Sequence, residues 1–274
     1  MAWQGVVGYS LIGWGPAFVV LARLLGVPQI AVAFCISCLC AALAFLALTV
    51  VYYIWHPILS QDAYVVIANL CYCLIVEFTR HQCARKYGRL RRNFYAFLAN
   101  SVNYPLQLLY VSLANGLGFG ITLTLISYGQ IILDSAGEAA LYFRDTCHDG
   151  PSAYFHYAVT ALLLNIFHTC ASILTFYFTN DARHASWRRA FLLNAITHAF
   201  MLFFVRDQLT VMNHTYCGAN LILGTVFVVL HGSLVLSLVR SPEYPAMRVK
   251  SRTSIIPDGI ELSDMDSSSL SRRD

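Results

Sequence analysis

Long uncharged apolar runs, each about the length of a bilayer-crossing helix, are the feature that most constrains this chain. A hydrocarbon core about 30 Å thick is crossed by about 20 helical residues, and the charged residues here are confined to short segments between such runs. With 58% of residues apolar and 12% charged, the chain needs lipid as its solvent. Backbone groups in lipid are satisfied only in helices or closed barrels. The runs are rich in Leu, Ala and Val and show no period-two alternation, which excludes a barrel. The expected fold is all-α: a polytopic bundle of seven transmembrane helices over residues 6–25, 30–55, 63–80, 106–133, 154–179, 189–205 and 217–239. The third and sixth runs are the shortest, and the third carries Glu77 and Arg80 at its end. The domain division expected is a transmembrane domain over 1–240 and a disordered cytosolic tail over 241–274, where Ser, Arg and Asp recur without periodicity.

Lys and Arg are enriched in cytoplasmic loops. Placing Arg23, the run from Arg80 to Arg92, the run from Arg183 to Arg189 and the tail on one side leaves only Arg144 and Arg206 on the other. An odd number of spans then puts the N-terminus in the lumen or outside and the C-terminus in the cytosol. The first span has no basic residue before it and ends in Arg23, which reads as an uncleaved anchor. The acidic segment after Asp134 and the sequon Asn213-His214-Thr215 fall on the lumenal side. Cys147 and Cys217 are the cysteines placed near that oxidising face, so a bridge between them is geometrically conceivable. The net charge of +4 lies in short loops, which argues against nucleic acid as a partner. Cys35 and Cys38 spell CxxC, but no second pair completes a zinc site, and no metal or other cofactor is expected.

Several polar or small residues lie within the apolar runs. Gly116, Gly120 and Thr124 recur every four residues, so they form one stripe with successive members 40° apart, a groove that another helix can approach closely. Two occupants are open: a helix of another protein, or one of the chain's own. The same glycines mimic a dinucleotide loop, but with no strand before them. His168, His198 and His231 fall inside the last three spans, and His156 near the start of the fifth. Ionisable groups at that depth face the bundle interior or a cavity. The plain reading is a neutral imidazole hydrogen-bonded to another helix; the sharper one is metal ligation or proton relay. Glu77 and Arg80, three apart, can pair at the end of the third span, and Arg80 is expected to snorkel to the interface. Pro16 is expected to kink the first helix.

The order of these features resembles the anterior-pharynx-defective (Aph) subunit family of gamma-secretase. Gly15-Pro16-Ala17-Phe18 is similar to that family's N-terminal signature, Glu77-Phe78-Thr79-Arg80 to its acidic and basic pair, and Gly116 through Ile121 to its glycine zipper. His168 and His198 fall where the family has two intramembrane histidines. The resemblance implies a non-catalytic scaffold that binds nicastrin, then holds presenilin, with the presenilin enhancer subunit in the same complex. It also implies a part in processing type I membrane proteins, including Notch signalling, in the endoplasmic reticulum, Golgi, plasma membrane and endosomes. Its zipper and histidines are associated with assembly. Two departures stand out: Thr124 replaces the zipper's third glycine, and the segment after Arg80 is unusually rich in arginine.

Two other functions compete. Glu77, Arg80, His168 and His198 mimic the set of intramembrane glutamate proteases that process prenylated proteins, but Val76 stands where a second glutamate is needed to activate water. A seven-helix receptor shares only the helix count and topology.

Overall fold

A computed structural model describes residues 2–55, 61–97, 108–134, 153–180, 187–202 and 217–240. Seven α-helices lie among them: α1 (Ala2–Leu24), α2 (Pro28–Trp55), α3 (Gln61–Phe97), α4 (Leu108–Asp134), α5 (Ala153–Asn180), α6 (Trp187–Phe200) and α7 (Cys217–Arg240). Those up to Ser237 belong to one compact unit. Five of the described helices, α1, α2, α4, α5 and α7, are long and apolar enough to cross a membrane.

The connection from α1 to α2 shows how local chemistry sets the boundaries. The amide of Leu25 still donates to Leu21 (2.9 Å), Gly26 follows, and Val27 accepts from Ile30 and Ala31 as α2 begins. Pro28 opens α2, where a missing N–H removes no helical bond. Pro16 sits inside α1, which continues to Leu24.

The third helix differs most from the sequence expectation. It does not stop at Arg80 but runs 37 residues to Phe97, so the basic segment expected as a loop is helical. His81-Gln82-Cys83-Ala84-Arg85-Lys86 lacks proline and contains good helix formers, so charge ended the apolar run without ending the helix. The sixth helix is described over 14 residues, with Met201 and Leu202 following in a wider turn; that described helix is about 21 Å long at 1.5 Å per residue.

α4 and α5 form the centre. About two-thirds or more of their apolar windows is buried, at 67% and 72%, against 22% for both α2 and α7. α4 lies between α5 and α2, and glycine permits both approaches. A Cβ on Gly116 would overlap the Thr169 backbone of α5, and one on Gly120 would stand 3.1 Å from Asn165 Cα. Gly118, 200° around the helix from Gly116, faces α2, where a Cβ would meet Ser37 Cβ at 2.7 Å and Phe34 O at 3.0 Å. Of the two occupants left open for the groove, α5 of the same chain fills it, because the missing side chains bring two of its own backbones together. α1 reaches α5 likewise at Gly13, where a Cβ would stand 3.3 Å from Ala158 O.

Candidate functional site

Hydrogen bonds stitch these close approaches. Thr124 Oγ1 donates to Gly120 O (2.7 Å) and accepts from Trp14 Nε1 of α1 (2.8 Å) and Asn165 Nδ2 of α5 (3.3 Å). A hydroxyl has one donor and two acceptor sites, so Thr124 is fully used. Its methyl and hydroxyl fit where a third glycine was the family expectation because this position is a junction of three helices. Asn165 Nδ2 also donates to Gly13 O (3.1 Å). On the other side of α4, Asn115 donates to Ser37 of α2 (2.6 Å) and accepts from Ser172 of α5 (3.1 Å).

A buried ionic cluster joins α3, α5 and α6. Three residues apart on α3, Glu77 and Arg80 face the same interior side. Arg80 Nη1 donates to both carboxylate oxygens of Glu77, and Nη2 lies 2.7 Å from His168 Nδ1 on α5. His198 on α6 brings Nδ1 within 3.0 Å of Glu77 Oε1. Arginine can only donate, so His168 Nδ1 accepts, which makes that imidazole neutral with its proton on Nε2. A carboxylate paired with Arg80 can only accept, so His198 Nδ1 carries a proton. Fully buried Arg80 does not snorkel, contrary to expectation. Its guanidinium lies 5.4 Å over the Phe119 ring of α4, and its charge is met inside the protein rather than at the interface.

Aromatic rings enclose the cluster. The His168 and His198 rings meet edge to face at 5.0 Å, Tyr72 stands edge-on to His198 at 5.4 Å, and Phe167 touches His168, His198 and His231 at 5.2 to 5.4 Å. Tyr72, Leu123, Thr124, Ser127, Leu164, His168, His198 and Leu202 line a small cavity, with space for about one water molecule. An unpaired ion at this depth costs several kcal/mol, and mutual contact offsets that cost only when geometry and hydrogen bonds are good. Arg80 Nε has no hydrogen-bond partner among the described residues, so the contacts offset that cost in part, and they tie three helices together.

The sequence singled out all four residues and paired Glu77 with Arg80, but had no means of joining the two histidines to that pair; those contacts span 88 and 121 positions. His231 is buried on α7 beside Phe167, and His156 is buried on α5 with neither ring nitrogen hydrogen-bonded among the described residues. Sequence reasoning gave no role to Asn165, Asn115 or Trp14, and took Gly118 only as part of the glycine run from Gly116 to Ile121. The alternation of Gly116, Gly118 and Gly120 was the available signal, since it puts glycine on opposite faces of one helix. Cys35 and Cys38 on α2 are free thiols. The conceived Cys147–Cys217 bridge lies outside the described residues, which include neither Cys147 nor the Cys217 side chain.

Apolar helices around a glycine-packed centre, with an ionic cluster sealed inside, define a polytopic integral membrane protein. No curated protein matches the chain in sequence. A model of the Aph-1 protein family matches residues 4–241, and the chain belongs to that family. It is accordingly a component of gamma-secretase and is not the catalytic presenilin.

Proposed function

We propose that the chain is the non-catalytic scaffold subunit of the gamma-secretase intramembrane protease, needed to assemble and stabilise the complex that processes type I membrane proteins. The observation that carries this reading is the sealed Glu77–Arg80–His168–His198 cluster. Its carboxylate is engaged by Arg80 and His198, and His168 by Arg80. A general base needs a carboxylate with reach to a substrate and water, and Glu77 does not line the adjacent cavity, which has space for about one water molecule. Here Val76, also fully buried, occupies the place of a second glutamate, and Glu77 holds helices together.

In this reading presenilin, nicastrin and the presenilin enhancer subunit are the partners. Gly116, Gly120 and Thr124 set the α4–α5 pair on which the partner-facing helices rest, and His168 and His198 act through the cluster rather than by touching a partner. All seven helices belong to the transmembrane domain, with the N-terminus lumenal, the C-terminus cytosolic and residues 241–274 as a cytosolic tail. The complex acts along the route from endoplasmic reticulum and Golgi to plasma membrane and endosomes.

Gentle detergent extraction followed by mass spectrometry tests the proposal. Presenilin and nicastrin homologues co-purify if the chain is their scaffold. Recovery of a lone chain that cleaves a prenylated peptide would establish the glutamate-protease alternative instead.

A further inference from the structure

Two basic segments far apart in sequence meet at one end of the bundle. At 1.5 Å per residue the 37-residue α3 is about 55 Å long, well beyond a 30 Å hydrocarbon core, so part of it must project past the lipid tails. That part begins near His81, and His81, Arg85 and Arg89 follow at four-residue spacing along one stripe. The Trp187 ring at the start of α6 stacks on His81, with centroids 4.6 Å apart, and Thr179 at the end of α5 lies 3.3 Å from His81 Nδ1. The Arg188 guanidinium lies 5.7 Å over that Trp187 ring, and Arg189 follows it on α6. The far side of α3 is held down by Tyr87 against Phe176 of α5, at 5.7 Å.

Arg85, Lys86, Arg89, Arg188 and Arg189 are all exposed, and Trp187 is 39% exposed between them. No acidic residue occurs in the sequence between Glu77 and Asp134, and Glu77 is buried against Arg80. Asp181, outside the described residues, is the one acidic residue between α5 and α6, a connection that also carries Arg183. Within these two segments the cations therefore outnumber the anions. An indole flanked by cations at the end of a bundle matches the headgroup level of a bilayer, where Trp rings sit and polybasic segments attract anionic lipid.

We propose that this face binds the headgroup of a multivalent anionic lipid, an inositol-phosphate lipid, with Arg85 and Arg89 on one side, Arg188 and Arg189 on the other, and Trp187 at the level of the glycerol backbone. Several phosphates on one ring suit several guanidinium groups, each of which can present paired N–H donors. The proposal is independent of whether the chain is a scaffold, since it uses only its own surface.

The test is native mass spectrometry of the full purified chain from mixed micelles of phosphatidylcholine with phosphatidylinositol bisphosphate. The expected result is selective retention of the phosphoinositide. Arg85→Gln with Arg89→Gln should reduce retention by roughly 25-fold and Arg188→Gln alone by roughly fivefold, at about a factor of five per charge. Arg85→Lys with Arg89→Lys, which keeps the charge but loses the paired N–H donors, should reduce retention, though less than the glutamine pair does. Because the variants lie on two separate helices, failure of one to fold leaves the other as a test. Equal retention of phosphatidylcholine, unchanged retention in the glutamine variants, or complete displacement of the lipid by inorganic phosphate would overturn the proposal; the last would point to a free-anion site.

Discussion

The two helices at the centre, α4 and α5, are less apolar than α2 and α7 at the edge, while α1, as little apolar as α4, is only 28% buried. α2 and α7 have mean hydropathies of 2.7 and 2.3 over their spans and are each 22% buried, whereas α4 and α5, at 1.6 and 1.7, are 67% and 72% buried. A water-soluble domain shows the opposite. In lipid, an exposed Leu39 or Leu43 on α2, or Val229 or Leu230 on α7, is already in a matching solvent and gains little by moving inside. What brings α4 and α5 together is the close approach allowed at Gly116 and Gly120 and the hydrogen bonds of Thr124, Asn165 and Asn115. The difference teaches that interior position in this chain is set by small and polar residues.

That contrast predicts a graded series of effects, measured as heat-induced unfolding of the detergent-solubilised chain. Arg80→Met should be the most damaging, by about 3–5 kcal/mol, since it leaves the Glu77 charge buried without its main partner. Adding Glu77→Gln to that variant should restore a large part of the loss, and no restoration would mean that the pair's charge is not what matters. Gly116→Leu comes next, at about 1–3 kcal/mol or more, because a side chain there overlaps the α5 backbone. A parent-like melt would break the claim that α5 fills the groove. Thr124→Val, which deprives Trp14 and Asn165 of their acceptor, should cost about 0.6–1.7 kcal/mol, the range of interhelical hydrogen bonds in membranes. Leu39→Ala and Leu43→Ala on the lipid-facing side should each stay within about 0.5 kcal/mol of the parent. A larger loss would show that α2 is packed against something other than solvent.

The same contrast explains what could be read from the sequence. Hydropathy located α1, α2, α4, α5 and α7 to within a few residues, because a lipid-crossing helix announces itself by length and composition alone. It failed on α3 past Arg80, since charge density separates apolar from polar segments but says nothing of whether the backbone stays helical. Glu77 with Arg80 was visible as a pair, and His168 and His198 as costly residues in apolar surroundings. Their convergence was not, because it depends on how α3 and α6 rotate against α5, and local spacing does not encode those angles. The snorkelling expected of Arg80 failed for the same reason: its anion was known, but the imidazole and the Phe119 ring that complete its enclosure lie on other helices. Thr124 looked like a flawed glycine position and is a hydrogen-bonding junction, a role that becomes visible only when Trp14 and Asn165 are brought beside it.

A double-mutant cycle between Glu77→Gln and His198→Leu, read from the unfolding free energy of the intact chain, tests most directly whether the ionic cluster ties α3 to α6. Contact at 3.0 Å in a sealed interior predicts that the two losses are strongly non-additive, with a coupling of about 1 kcal/mol or more. Losses that add within about 0.3 kcal/mol would contradict the account, because the two side chains would then be acting independently.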